Sequence, residues 1–311
     1  MNAITRTIVY NIHPQSLIIS TGAVMGGLTA SVIRGGISVF PAIMTLLFAM
    51  LLQISANLYH GYFDLCFGAG ENISGMGDRD SRSANSSRVF ILRVVANGFG
   101  ILALTAGMSL FSFIGWFGLV YVALIAIMLY LYFAGPKPMV RTKWSLLFTF
   151  LFFGPIAVSG TALIQNTSSQ DLLPIAVYSV INGLLAANAH IAIQYIRYEE
   201  DKKNGKETLV TAKGGKFTRF VYLGNSLLVC AILIVRPSAV DFVSRWVGIA
   251  VAACVLLSSV WVFAIMHRNT VKVSRKVRTV TMYQYILVTL VLMAIVMCSV
   301  DKFNINIFHF L

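Results

Sequence analysis

The acidic side chains of this chain are few and are concentrated in two segments. Of the eleven Asp and Glu residues, eight fall within residues 60–88 and 195–217. The first segment contributes Asp64, Glu71, Asp78 and Asp80, and the second contributes Glu199, Glu200, Asp201 and Glu207. Carboxylate oxygens are the ligands that Mg²⁺ prefers, and bound Mg²⁺ also contacts the phosphates of a substrate. The pattern therefore predicts a magnesium site built from both segments.

Basic side chains occupy the same two segments. They include Arg79, Arg82, Arg88, Arg197, Lys202, Lys203, Lys206 and Lys213. Arg and Lys neutralise phosphate charge through charge-assisted hydrogen bonds. Carboxylates and cations together thus fit a substrate whose leaving group is a diphosphate. The alternative, which composition leaves open, is a pair of solvated loops of mixed charge.

Further polar residues stand next to these acids. Asn57 ends an apolar run, and His60 follows it within one helical turn. Gln194, Arg197 and Asp201 recur at helical spacing and share one face of a polar helix extension. The four cysteines are scattered without the pair spacing of a disulfide framework or a zinc site. Neither a phosphate-binding glycine loop nor a dinucleotide fingerprint is found in the sequence.

Long apolar runs must position these residues. The chain has 311 residues, of which 58% are hydrophobic and 11% charged, and its mean hydropathy is +0.80. A soluble domain is about half apolar and about a quarter charged, so an ordinary cytosolic enzyme and a disordered chain are excluded. Nine runs approach the ~20 residues that a membrane helix needs. They lie at about 15–33, 37–58, 89–108, 112–134, 145–165, 172–194, 218–235, 246–266 and 281–300. The prediction is an all-α polytopic bundle of nine transmembrane helices, forming a single domain over residues 1–311.

The basic residues also predict the orientation of the bundle. With the N-terminus in the cytoplasm, 20 of the 24 Lys and Arg residues fall on the cytoplasmic side. This asymmetry is typical of the positive-inside rule. It accounts for most of the net charge of +13, so no nucleic-acid partner is predicted. The two acidic segments are then cytoplasmic loops, and a bacterial inner membrane is the expected location.

The order of spans and acidic loops resembles the UbiA superfamily of intramembrane aromatic prenyltransferases. The segment "NGKETLVTAKG" (204–214) is similar to the stretch that follows the second aspartate motif of that superfamily. The segments "LQISANLYHGYFD" (52–64) and "FLFFGPIAVSGT" (150–161) resemble the 1,4-dihydroxy-2-naphthoate polyprenyltransferases of menaquinone biosynthesis. The resemblance runs from about residue 13 to residue 209 and weakens in the last third.

The resemblance implies an activity and a set of partners. Members transfer a polyprenyl group from its diphosphate to an aromatic acceptor such as 1,4-dihydroxy-2-naphthoate. Mg²⁺ held by both aspartate motifs binds the diphosphate, and the tail lies in an apolar tunnel open to membrane lipid. On this basis Asp64 and Asp201 are the expected catalytic residues. The expected metal ligands are Asp64, Asp78, Glu200 and Asp201. The expected substrate-binding residues are Asn57, His60, Arg79, Arg82, Gln194, Arg197, Lys202 and Lys206.

The chain departs from the superfamily pattern at both motifs. In the first motif, His60 and Gly61 stand where the superfamily has an Asn-Asp pair, and Asp64 is retained. In the second, Arg197 takes the place of the first Asp and Asp201 is retained. Two hypotheses follow: an active prenyltransferase with a modified site, or a degenerate paralogue that binds isoprenoid lipid or acts as a scaffold. A third class, the ion-coupled transporters, is disfavoured because the centres of the runs lack Asp, Glu, Lys and Arg.

Overall fold

The computed structural model describes residues 3–66, 79–134, 137–165, 172–235, 242–266, 271–298 and 303–304. These residues are helical apart from short connections and one pair of two-residue strands. Within them, nine helical stretches are long and apolar enough to cross a membrane. The predicted all-α architecture and its nine spans are confirmed.

The first half of the chain supplies four of the spans and a short helix that precedes them. Its helices are α1 (Ala3–Ile12), α2 (Leu17–Arg34), α3 (Val39–Cys66), α4 (Arg79–Ser109), α5 (Phe111–Ile114) and α6 (Trp116–Phe133). Helix α1, which the sequence analysis did not predict, joins α2 through a 3₁₀ turn at Pro14–Ser16. Apolar residues of α1 pack on Leu58 of α3 and Leu92 of α4.

The second half supplies the other five spans. Its helices are α7 (Ser145–Leu151), α8 (Ala157–Ile164), α9 (Leu173–Ile196), α10 (Tyr198–Lys203), α11 (Leu209–Val235), α12 (Phe242–Ile265) and α13 (Val271–Met297). A π-helical turn, Phe152–Ile156, joins α7 to α8. Strand β1 (Ile37–Ser38) pairs in parallel with strand β2 (Phe303–Asn304). The last strand thereby returns to the connection between α2 and α3.

The predicted loops at 60–88 and 195–217 are largely helical where the structure describes them, which corrects their extent. Helix α3 continues to Cys66 and α4 begins at Arg79, while residues 67–78 lie outside the described part. Helix α10 and the first turns of α11 occupy much of 195–217. Hydropathy marks the depth of the bilayer, whereas backbone hydrogen bonding carries a helix on into polar sequence. The prediction therefore mistook polar helix ends for loops.

Helices α2 and α9 form the centre of the bundle. Close helix packing in membranes depends on small residues because backbones must approach each other. A Cβ on Gly26 of α2 would lie 2.2 Å from Nδ2 of Asn182 on α9, and one on Gly27 would lie 2.5 Å from Cβ of Thr161 on α8. Glycine at these two positions therefore allows α2 to contact both neighbours, whereas α6 exposes most of its side chains at the periphery.

The π-helical turn interrupts the fifth span beside the cavity described below. Pro155 lies inside the turn, and the Ser159 hydroxyl donates to the Pro155 carbonyl one turn later. A Cβ on Gly154 would lie 2.4 Å from the carbonyl oxygen of Ser179 on α9. Such turns are rare and occur frequently at functional sites. Here the turn directs Phe152 and Ile156 toward the cavity.

Candidate active site

Carboxylates from distant parts of the chain meet at one end of the bundle. Asp64 lies in the last turn of α3, and Asp201 lies in α10, directly after α9. The Lys206 ammonium connects them, with Nζ 2.8 Å from Oδ1 of Asp64 and 3.6 Å from Oδ1 of Asp201. The Lys206 side chain is 2% exposed. The structure therefore brings together the acids of the two predicted motifs around a buried cation.

Arg197 binds the same carboxylate from the other side. Its Nη2 donates to Oδ2 of Asp64 at 2.7 Å and to Oε1 of Glu200 at 3.2 Å. Nδ1 of His60 lies 3.2 Å from Oδ2 of Asp64. Burial acts to lower the pKa of Arg197, but the negative charges of Asp64 and Glu200 outweigh it and raise that pKa above its ordinary value. Arg197 is thus a permanent cation. We name His60, Asp64, Arg197, Glu200, Asp201 and Lys206 the ionic cluster.

Local backbone geometry explains how Lys206 reaches the cluster. After α10, Gly205 adopts φ +64°, a left-handed conformation that favours glycine. The chain then turns back, and the Lys206 N–H donates to the Asp201 carbonyl at 2.8 Å. Arg141 secures this turn, because its Nη2 donates to the Asn204 carbonyl at 2.9 Å. The segment "NGKET" thus encodes a helix stop followed by an inward-pointing lysine.

Asp201 is the least satisfied member of the ionic cluster. Its side chain is 5% exposed, and its Oδ1 accepts no hydrogen bond within the described residues. The nearest cations, Lys206 Nζ at 3.6 Å and Arg197 Nε at 4.0 Å, lie beyond hydrogen-bond range. Burial raises the pKa of Asp201 despite these two positive charges. One acceptor oxygen in the cluster therefore remains available to a donor or cation.

The described donors do not fit a Mg²⁺ ion on Asp64. Both Asp64 oxygens are engaged, Oδ1 by Lys206 and Oδ2 by Arg197 and His60. The predicted ligand Glu200 is about half exposed and pairs with Arg197, and the predicted ligand Asp78 lies outside the described residues. Across the described ranges, no group of three or more His, Cys, Asp and Glu residues could hold a metal.

The other predicted substrate-binding residues differ in what they contact. Asn57 donates to the Ile12 carbonyl at 2.7 Å and to Oγ of Ser16 at 2.6 Å, so it ties α3 to the N-terminal segment. Gln194 donates to Oγ of Ser145 at 3.0 Å. The exposed Lys202 lies over the Tyr198 ring, 5.9 Å from its centroid.

Two further predicted substrate-binding residues, Arg79 and Arg82, lie at the start of α4. Their side chains are outside the described part of the chain. Their binding role therefore stays a prediction.

The structure adds residues that were not among the predicted site residues. Arg278 of α13 donates to the side-chain amide of Gln15 beside α2, and it lies within electrostatic range of His13 together with Arg197. His190 contacts Oγ of Ser145 at 3.1 Å, next to Gln194. Arg278 carried one signal, since it is the last cation before the ninth span. Nothing in the sequence indicated that the start of the ninth span lies near the start of the first span.

An apolar cavity of about 570 Å³ lies between α2, α3, α4, α5, α6 and the α7–α8 span. Gln53 lines it, and its Nε2 donates to Asn57, one turn before His60 on the same helix. Leu52, Phe153 and Ile164 are among the apolar residues that form its walls. The cavity therefore approaches the ionic cluster along α3 and continues into the apolar interior.

A nine-span bundle that joins a charged cluster to an apolar cavity defines an integral membrane protein suited to a ligand with a polar head and an apolar tail. The chain belongs to the UbiA prenyltransferase family, whose family model matches residues 20–287. This agrees with the resemblance drawn from its motifs.

Curated relatives and solved structures support the assignment. The 1,4-dihydroxy-2-naphthoate octaprenyltransferase of Escherichia coli strain K12 is 27% identical over 212 residues, covering 66% of this chain and 67% of that protein. Its namesake in Bacillus subtilis strain 168 is 29% identical over 176 residues, covering 56% of this chain and about half (55%) of the relative. A UbiA homologue from Archaeoglobus fulgidus bound to DMAPP and Mg²⁺ has a TM-score of 0.69 at 13% identity, covering 95% of this chain and 99% of that one. A UbiA homologue from Aeropyrum pernix K1 has a TM-score of 0.65 at 12% identity, covering 94% of this chain and 99% of that one. These structures establish the fold.

Proposed function

We propose that this protein is an intramembrane prenyltransferase that moves a polyprenyl group from its diphosphate to an aromatic acceptor such as 1,4-dihydroxy-2-naphthoate. The observation that carries the proposal is an ionic cluster in a UbiA-family bundle beside an apolar cavity, which begins at Ala56, one helical turn before His60 on α3. The cluster suits the diphosphate head and the cavity suits the tail. The names of the curated relatives support the naphthoate acceptor.

The proposed reaction has a simple electron balance. The allylic C–O bond breaks with its electron pair going to the diphosphate, and the aromatic ring carbon forms a bond to the allylic carbon. With a naphthoate acceptor, the carboxyl group on that ring carbon leaves as CO₂ and returns its bonding pair to the ring. Arg197 and Lys206 are placed to neutralise charge that develops on the diphosphate, the electrostatic effect that is usually the largest in catalysis. The apolar walls keep water from the allylic cation.

We further propose that residues 1–311 form one membrane-embedded domain in a bacterial inner membrane, with the N-terminus and the ionic cluster on the cytoplasmic side. The distribution of Lys and Arg supports this orientation. A requirement for Mg²⁺ stays a prediction of the sequence, which the Mg²⁺-bound A. fulgidus homologue motivates. The residues around Asp64 do not fit a Mg²⁺ ion, because both oxygens of Asp64 are engaged by side chains of the protein.

The competing function is a degenerate paralogue that binds isoprenoid lipid or acts as a scaffold, without prenyl transfer. The replacement of one carboxylate in each motif, by Gly61 and Arg197, is the observation that favours it. A paralogue that binds isoprenoid lipid would use the same cavity as the enzyme. Product formation is therefore the measurement that distinguishes the two functions.

Turnover is tested with purified membranes, a labelled polyprenyl diphosphate, 1,4-dihydroxy-2-naphthoate and Mg²⁺. We expect a labelled lipid product and release of CO₂ and diphosphate. The variant Asp64→Ala should abolish product, and Lys216→Ala, which removes an exposed cation on α11, should retain it. Folded wild-type protein that forms no product with several aromatic acceptors would contradict the proposal and favour the paralogue.

A further inference from the structure

Asp64 is occupied by protein donors on both of its oxygens. Lys206 Nζ lies 2.8 Å from Oδ1, Arg197 Nη2 lies 2.7 Å from Oδ2, and His60 Nδ1 lies 3.2 Å from Oδ2. A divalent cation at Asp64 would have to displace these contacts and bring a second positive charge against Arg197. Breaking a largely buried ion pair on one side is strongly unfavourable. The arrangement therefore uses Asp64 to hold cations of the chain itself.

Gly61, three positions before Asp64, also departs from the superfamily pattern of this motif. Gly61 stands where the resemblance places a carboxylate, and a Cβ there would lie 2.1 Å from Oδ1 of Asn11 on α1. One hydrogen bond within α1 orients Asn11, because its Nδ2 donates to the Thr7 carbonyl at 2.9 Å. Helix α1 thus fills the space that a side chain at position 61 would need. Two independent features, at Gly61 and at Asp64, oppose a metal ion at this motif.

Arg197 has the chemistry to replace that ion. A guanidinium has five N–H donors in a planar fork that matches phosphate oxygens in bidentate fashion. Contacts to Asp64 and Glu200 involve its Nη2 and Nε, and its side chain is 23% exposed. Lys206 has three ammonium protons, and a single carboxylate oxygen lies within hydrogen-bond distance of its Nζ. Both cations therefore retain donor capacity for an anion.

We propose that Arg197 and Lys206, anchored by Asp64, bind the substrate diphosphate directly and replace the divalent cation expected at the first acidic motif. This rests on the proposed function for the identity of the ligand. Asp64 is then a positioning residue for two cations.

The test is a binding measurement on the full chain in lipid nanodiscs, with geranyl diphosphate as the probe, in EDTA and in Mg²⁺. Wild type should bind in EDTA with a Kd within about tenfold of its Kd in Mg²⁺. The variant Arg197→Gln should weaken binding by about tenfold or more in both buffers, since a charge-assisted hydrogen bond contributes at least that factor. Arg197→Lys keeps the charge and loses the planar fork of donors, so its Kd should lie between those of wild type and Arg197→Gln. Lys216→Gln on α11 is the matched control and should bind as wild type.

A gain-of-metal variant keeps the proposal falsifiable if Arg197→Gln unfolds. Arg197→Asp should turn the site into one that binds geranyl diphosphate in Mg²⁺ and loses it in EDTA. Wild-type binding that disappears in EDTA and returns with Mg²⁺ would overturn the proposal. Binding in EDTA without turnover would refute the proposed function and leave this inference standing. Turnover combined with strictly Mg²⁺-dependent binding would support the proposed function and refute the direct binding of diphosphate by Arg197 and Lys206.

Discussion

Removing the buried ammonium of Lys206 should destabilise the protein more than any exposed charge change nearby. Lys206→Met keeps the length of the side chain and leaves Asp64 without its 2.8 Å partner and Asp201 without its nearest cation. Removing one partner of a buried pair costs about 3–5 kcal/mol. Asp64 is 19% exposed and keeps Arg197 and His60, so we expect the lower end, about 3 kcal/mol.

The measurement is thermal unfolding of the purified protein in nanodiscs, followed by intrinsic fluorescence. A loss of about 3 kcal/mol should lower Tm by about 6 °C for a chain of this size. The double variant Asp64→Asn/Lys206→Met should be less destabilised than the sum of its single variants, because it removes both charges of the Asp64–Lys206 pair. Lys216→Met is the matched control for loss of one cation. A Tm for Lys206→Met equal to that of the control, or single-variant losses that simply add, would refute the ion-pair reasoning.

Three other predictions concern the cluster, the packing and the cavity. Asp201→Ala should abolish turnover with little change in Tm, since Oδ1 of Asp201 accepts no hydrogen bond that folding depends on; retained turnover would remove Asp201 from the site. Gly154→Ala should cost about 1–3 kcal/mol by overpacking, because the new Cβ would lie 2.4 Å from a backbone oxygen of α9. The control Gly98→Ala, with no atom within 4 Å of its new Cβ, should leave Tm unchanged or raised. Equal Tm values for Gly154→Ala and Gly98→Ala would contradict the packing argument. Ala49→Phe should shorten the longest prenyl diphosphate that is turned over, because Ala49 lines the cavity. The exposed Ala126→Phe should not alter the product lengths seen by mass spectrometry, and identical product lengths for both variants would exclude this cavity as the tail site.

The nine spans were predictable because the requirement is local. Each span needs an apolar run of about 20 residues, and each charge inside one is costly. The limits of the helices were not predictable in the same way. Helix α3 runs on to Cys66 and α4 begins at Arg79, in sequence that is polar and was interpreted as loop. Helix α1 was missed because it is too short for a span.

Residue types also predicted the chemical class of the site. Acids and cations concentrated in two segments indicated a diphosphate, and the motif resemblance named Asp64 and Asp201. Asp64 and Arg197 are separated by 133 positions, and Asp64 and Lys206 by 142. Composition states which groups are present in each segment. It does not state how they pair, because pairing depends on which helix ends meet.

The sequence by itself determined the membrane class and the spans, and it predicted the kind of ligand, because these follow from hydropathy and side-chain chemistry summed over short stretches. The tertiary structure alone decided that Arg197 and Lys206 occupy the oxygens of Asp64 and that Asn11 fills the space at Gly61. It also decided that an apolar cavity approaches them along α3. These features arise where α1, α3 and α10 converge, and the contact distances there fix whether a carboxylate is open to a metal ion or already held by a cation of the chain.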